Sequence, residues 1–524
     1  MIKILITLSL FIISVSNLYS QNFNWITPNK TYLKLYIIED GVYRIEKTDF
    51  TNNGVNTSGI DPRTVKVLYK GNQIPIFFQG ESDGTFDDAD YLDFYGVRNY
   101  GGLTKHYNGY SNAVEYVTDE KYNNYSDTNA YWIDWGGNNG LRMEVSNFVS
   151  PLNHPDNFSM QPVHFEKDII YYLGETVNSN TDFRYFSNEK VSGESWFWKV
   201  MSTNDVHTEN FNPVNVTGAQ SCELKLLLFP ISYNIQASNE HRVEVRINNN
   251  LVGTLISDSL RRMDTTLYFS PTLLNSNVSN DVSLTYTPVT GNFFQPRIHL
   301  DFFELKYPKA FSFVNNFTNI KFSGNDTTSK KITVNGVLSS NPLSIYDVTN
   351  GIKIENQSIS QNTLTFSGKS NAEFDLANAF ISKKPFRIEN RQVKNLTSSS
   401  NGADYLIVYH SLFGSQAEQL KNHRQSFNNF RVFNAEIKDI YDIFNYGIED
   451  PSAIRNFINY AVDNWSGPSV KYVNLFGRAS LDPKKNSPVL SFIRISFRHT
   501  AIRLQTDTSL ILISGLSLII IRYR

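Results

Sequence analysis

"VKYVNLFGRASLDPKKN" (residues 470–486) is the stretch on which the reading of the fold depends. Val470, Tyr472, Val473, Leu475 and Phe476 form a near-continuous apolar run, and Gly477 ends it before a polar segment. A run without polar alternation is the pattern of a strand covered on both faces, as parallel strands in α/β proteins are. Such a strand delivers a loop to the C-terminal edge of its sheet, where ligands bind.

Working upstream, the same grammar continues to about residue 400. "ADYLIVYH" (403–410) reads as a buried strand, "SQAEQLKNHRQSF" (415–427) has helical period, and "FRVFNAEI" (430–437) is a second strand. "EDPSAIRNFINYAVDNWSGP" (449–468) is a helix with both ends marked. Asp450 suits the N-cap and Pro451 the first helical position. Ile454, Phe457, Ile458 and Ala461 repeat at i, i+3, i+4 and i+7, and Gly467-Pro468 stops the pattern. Strand–helix–strand–helix–strand implies a parallel sheet with crossover helices over 400–486.

Before residue 400 the chain is written in short strands. In 22–150, "LKLYIIEDGVYRI" (33–45) reads as a hairpin turning at Asp40-Gly41, and "VKVLYKGNQIPIFF" (65–78) as another around Gly71-Asn72. Residues 151–165 read as a linker. Residues 166–308 predict a β-sandwich. In "HRVEVRINNNLVG" (241–253), Val243, Val245 and Ile247 alternate with Arg242, Glu244 and Arg246. In "RIHLDFFELKYP" (297–308), Ile298, Leu300 and Phe302 alternate with His299 and Asp301. "KKITVNGV", "LSIYDVTNG" and "TLTFSG" make 309–395 a small separate β-module. The expected architecture is multidomain and mainly β, followed by an incomplete α/β domain.

Composition sets outer bounds. The chain has 524 residues, 40% hydrophobic and 19% charged, enough for three or four domains at about 100–200 residues each. A net charge of −2 gives no electrostatic case for nucleic acid. "MIKILITLSLFIISVSNLYSQ" has one Lys, an apolar stretch and a small residue at Ser20, which predicts a secretory signal over 1–20 and export. The single cysteine, Cys222, rules out an intrachain disulfide.

Chemistry-bearing candidates are few. "ESDGTFDDADYLDFYG" (81–96) holds Asp83, Asp87, Asp88, Asp90 and Asp93. A solvated acidic turn is the simpler reading; calcium held by Asp83, Asp87 and Asp90 is the functional one. Cys222 shares strand parity with Leu224, Leu226 and Leu228, so it reads as core rather than nucleophile. His410 follows a strand at a sheet edge, yet a lone loop His is more often structural. Asp439, Asp442, Glu449 and Asp450 are placed to line a cleft, with Asp450 more simply a cap. There is no His-Glu-x-x-His, Gly-x-Ser-x-Gly, P-loop or Cys-x-x-Cys motif.

The order "DYLIVYH", "QAEQLKNHR", "IYDIFNYGIEDPSAIRNFINYAVDNW", "VKYVNLFG" resembles the start of the gingipain-type cysteine peptidase domain. Upstream, "EDGVYRIEKTDF", "DGTFDDADYLDFYG", "YWIDWGG" and "LDFFELKYP" resemble the type IX secretion sortase branch of that family, found in Bacteroidetes. The resemblance implies a caspase-like α/β domain in which a cysteine, assisted by a histidine, cleaves peptide bonds. It implies protein substrates of the type IX pathway, outer-membrane secretion components as partners, and a place at the outer membrane, cell surface or outside the cell. In the family the catalytic His and Cys follow the "VNLFG" strand. Here no Cys follows residue 222, His499 is the sole later His and lacks Gly-His-Gly surroundings, and Arg478 stands where Asp is usual. No catalytic residue is therefore assigned.

The tail over 487–524 departs in composition: 59 Asn precede it and it has none. Its Leu510–Ile521 stretch is apolar but short for a membrane helix. The expectation is a frameshift near Asn486. The expected function is the N-terminal fragment of a secreted gingipain-family endopeptidase, inactive as it stands. The alternative is a non-catalytic surface sandwich that binds glycan or protein.

Overall fold

The computed structural model describes residues 23–101, 103–107, 114–118, 121–171, 196–232, 238–258, 262–289, 296–314, 316–322, 324–338, 343–380, 382–480, 482–486 and 496–498. The signal segment, His499 and the apolar tail lie outside them. The architecture is mainly β with an α/β unit at the C-terminal end of the described chain.

The N-terminal module is built on a five-stranded sheet. Its centre is β1 (Thr31–Ile37) beside β2 (Asn129–Asp134), with Lys66–Tyr69 and Asn72–Ile74 beyond β2. Its far edge is β3 (Arg387–Gln392), a strand from much later in the sequence that runs antiparallel to β1. Residues 65–78 do turn back on themselves, with Tyr69 opposite Asn72 and Lys70 and Gly71 both at positive φ. Residues 33–45 do not form the expected hairpin. Gly41–Glu46 leaves β1 and pairs with Tyr91–Gly96 in a second sheet, and Gly41 (φ +144°) makes the corner. The chain does change direction at Asp40-Gly41, but β1 finds longer partners on both sides than its neighbour in sequence offers.

The sandwich places Phe158–Glu166, Arg297–Ala310, Cys222–Pro230 and Met263–Phe269 in one sheet. Val206–Phe211, Asn280–Tyr286, His241–Ile247 and Asn250–Ser257 form the other. Part of the expected linker is thus an edge strand. The hairpin at Asn248-Asn249 uses two residues at positive φ, the conformation a tight two-residue turn requires. The alternation in 297–308 is broken midway. A bulge leaves Asp301 outside the ladder, so Leu227 faces Phe302 while Leu228 faces Leu300. The inward set becomes Ile298, Leu300, Phe303, Leu305 and Tyr307, and His299 and Asp301 are buried rather than wet.

The third module combines Glu144–Ser146, Ile352–Ile354, Leu343–Asp347, Glu373–Asn378 and Phe317–Lys321 in one sheet. A second sheet holds Ser329–Asn335, Thr363–Lys369 and Ser358–Ser360. Glu144–Ser146, from the N-terminal block of sequence, serves here as an edge strand.

The α/β unit runs β4 (Tyr405–Tyr409), α1 (Gly414–Asn428), β5 (Val432–Glu436), α2 (Ile437–Phe444), α3 (Ser452–Asn464) and β6 (Tyr472–Phe476). The strands are parallel in the order β5–β4–β6. Helix α3 buries Ile454, Phe457, Ile458 and Ala461, and Asp450 Oδ1 accepts a hydrogen bond from Ser452 N at 2.7 Å. Helices α2 and α3 pack between the sheet and the N-terminal module, in one core with Ile26, Tyr32 and Trp132. Among the described residues, no helix is long and apolar enough to cross a membrane.

Candidate active site

In a sheet ordered β5–β4–β6, the crossovers leave on opposite faces, so a crevice opens beyond the C-terminal ends of β4 and β6. His410 and the turn Ser411–Phe413 form one wall. The loop from Gly477 onward forms the other. Gly477 sits at φ +153°, at the point where the chain leaves the sheet. Phe413 and Phe476 meet edge to face at 5.9 Å across the base. His410 serves its own turn, which it caps by accepting a hydrogen bond at Nδ1 from Leu412 N at 3.3 Å. Within the second wall, Asp482 Oδ1 accepts from Asn486 N at 2.7 Å and Ser480 Oγ from Asp482 N at 3.1 Å, closing a compact loop.

No thiol stands at this crevice among the described residues. Cys222 is fully buried in the sandwich core with Leu224, Leu226 and Leu228, and burial pushes its thiol up to about 12. A thiol so placed is neither ionised nor reachable. His499, the later histidine, lies outside the described residues.

The acidic block of α2 has a different role from lining a cleft. Asp442 and Asp439 are buried where α2 meets the N-terminal sheet. Lys34 of β1 donates from Nζ to Asp442 Oδ1 at 2.6 Å and to Gly447 O at 2.8 Å. Arg391 of β3 donates from Nε to Asp442 Oδ2 at 2.6 Å and from Nη2 to Asp439 Oδ1 at 2.8 Å. Two cations meet two carboxylates, so the junction is balanced. Desolvation lowers Lys34 from the usual lysine range, and it raises Asp439 to about 6 against the pull of Arg391, with Asp439 Oδ2 left without a hydrogen-bond partner. Trp132 Nε1 and Trp25 Nε1 add donations to Tyr446 O and Ile443 O at 2.8 and 3.0 Å. Sequence reasoning singles out these acids but has no means of seeing Lys34 and Arg391, which arrive from strands far away in the chain.

The carboxylates of 81–96 mostly hold their own turn. Asp90 Oδ2 accepts from Asp87 N at 2.8 Å, Asp83 Oδ1 accepts from Thr85 N at 2.9 Å, and Asp88 pairs with Lys47 at 2.8 Å. Asp93 is buried and held by both Nε and Nη2 of Arg44 at 2.8 Å and by the Tyr346 hydroxyl at 2.6 Å. Asp83 and Asp87 are exposed and Asp90 is buried, and no group of three or more His, Cys, Asp or Glu among the described residues is arranged to hold a metal.

A parallel sheet with a crevice at its switch point, set on β-modules, defines a class that the comparisons specify. Residues 398–517 match the profile of peptidase family C25, so the α/β unit is a gingipain-type segment. The matched span continues past Asn486, across most of the tail whose composition differs. The chain as a whole is similar in fold to latent, dimeric PorU from Porphyromonas gingivalis, at a TM-score of 0.62 and 16% identity. That likeness covers 91% of this chain and 44% of PorU, so the chain spans less than half of that protein's length. A calcium- and xylotriose-bound CBM36 carbohydrate-binding module and the plant receptor-like kinase FER align at TM-scores of 0.16 and 0.21. Their identities are 14% and 13%; they cover 20% and 54% of this chain and 77% and 79% of their own, and carry no argument. No curated protein sequence matches the chain.

Proposed function

We propose that the chain is the N-terminal part of an exported gingipain-family cysteine endopeptidase that acts on C-terminal sorting signals of type IX secretion cargo at the outer membrane or cell surface. In this form it has no peptidase activity. The observation that carries the reading is the C25-matched parallel sheet seated on β-modules in an arrangement shared with PorU. In this chemistry a thiolate attacks the scissile carbonyl and a histidine moves the proton to the leaving amine. The chain's one thiol is locked inside the sandwich core and meets no such carbonyl.

Two measurements test the two halves of the proposal. Purified chain is incubated under reducing conditions with peptides bearing sorting-signal sequences. No cleavage above the Cys222→Ala variant is expected; thiol-dependent hydrolysis abolished by that variant overturns the inactivity. The gene is then resequenced from the Arg478 codon onward and translated in every frame. A continuing frame with a Cys and a Gly-His-Gly motif supports the family part, and stops in every frame overturn it. N-terminal sequencing of exported material should begin at Gln21.

A further inference from the structure

The loop that forms the second wall of the crevice is held from outside its own unit. Lys484 is buried to the point that its side chain is 13% exposed. Its Nζ donates to Asn123 O at 3.2 Å and to Asp127 Oδ1 at 3.3 Å, and lies 3.7 Å from Asp168 Oδ2. The Tyr122 ring covers it at 5.1 Å. The receptor is itself ordered. Asn123 Oδ1 accepts from Tyr125 N and Ser126 N at 2.9 and 3.1 Å, and Asp127 pairs with Arg98 at 3.0 Å. The Arg98 guanidinium stacks on the same Tyr122 at 4.8 Å. Tyr122 in turn stands edge-on to His164 of the sandwich at 5.8 Å. Three units therefore converge on one ammonium group: the N-terminal module, the sandwich and the crevice loop.

We propose that Lys484 is a positioning residue for the crevice: it fixes the Gly477–Asn486 wall to the β-modules, so that the placement of those modules sets the crevice opening. The loop's internal bonds, from Ser480 and Asp482, give it a shape but no fixed place above β4 and β6. Lys484 supplies the place. A charge-assisted contact held in a half-buried aromatic setting is directional in a way that an exposed surface pair is not. The inference rests on reading the β4–β6 switch point as the site.

Hydrogen exchange on the full chain tests it, comparing wild type with Lys484→Met, Lys484→Arg and Asp127→Asn. Amides of residues 478–486 should exchange about tenfold faster in Lys484→Met and Asp127→Asn, the loss expected for one charge-assisted hydrogen bond. Amides of β4 should stay unchanged. Lys484→Arg, which reaches the same carboxylates, should retain wild-type exchange. Unchanged loop exchange in both disrupting variants overturns the proposal. So does a parallel rise in β4, which makes Lys484 a general stability contact. Exchange is read without turnover, so either result leaves the peptidase reading to its own test.

Discussion

The sandwich and the α/β unit solve the problem of a core in opposite ways. The sandwich core draws on residues 163–307 alone, with Cys222, Leu224, Val243, Val245, Leu284 and Phe303 all fully buried between its two sheets. The α/β unit closes its core only by taking in Ile26, Tyr32 and Trp132 from the far end of the chain, with Val393 and Leu396 from the segment before it. Its junction then carries the buried Lys34–Asp442–Arg391–Asp439 set. The difference teaches that contiguity in sequence marks a folding unit in one half of the molecule and not in the other.

The strongest way to break that comparison is to cut it. A fragment of residues 158–310 should unfold cooperatively in urea as an isolated domain, whereas residues 398–486 alone should show no cooperative transition. A folded, cooperative 398–486 fragment would dissolve the distinction.

The next effect is at the junction. Lys34→Ala leaves the Asp442 carboxylate buried with one partner lost, and should cost about 3–5 kcal/mol by equilibrium denaturation. Exchange protection in β1, β2 and α2 should fall together, while the sandwich strands keep theirs.

A pH titration sharpens the same point. Burial raises Asp439 to about 6, and Asp375, whose Oδ2 accepts from Val42 N at 2.7 Å between modules, also to about 6. Unfolded, both return to the ordinary 3.8. Between those values the folded chain holds protons that the unfolded chain has released. The stability these groups contribute is therefore lost as pH rises from about 4 to about 6. Asp439→Asn should flatten that fall by on the order of 1–3 kcal/mol, read as the difference in Tm between variant and wild type across the window.

The smallest effect lies in the sandwich. Cys222→Ala should cost about 1 kcal/mol and leave the α/β unit untouched. Native protein should resist alkylation at neutral pH, as a thiol pushed up to about 12 in a closed core must.

Much is legible because it is local. The parity of Cys222, Leu224, Leu226 and Leu228, the α3 stripe from Ile454 to Ala461, and the parallel strands around "YLIVY" and "VNLF" follow from period alone and stand in the structure. The bulge at Asp301 is not legible, since one extra residue reverses parity without altering the letters on either side. The crevice lies at the sheet edge that the strand pattern indicates, but Lys484 does not stand out, because a lysine in a polar loop carries no signal of what it meets.

By itself the sequence determined which segments are strands and helices, that the last strands run parallel, and that no catalytic cysteine follows them. Those properties depend on side-chain periodicity and residue identity, which are readable within a dozen positions. Only the tertiary structure decided that Glu144–Ser146 and Arg387–Gln392 exchange modules, that the acids of α2 face Lys34 and Arg391, and that Lys484 reaches Asp127. Each is a pairing between segments that a strand's own pattern leaves open. It is settled by which partner completes a buried ladder or balances a buried charge.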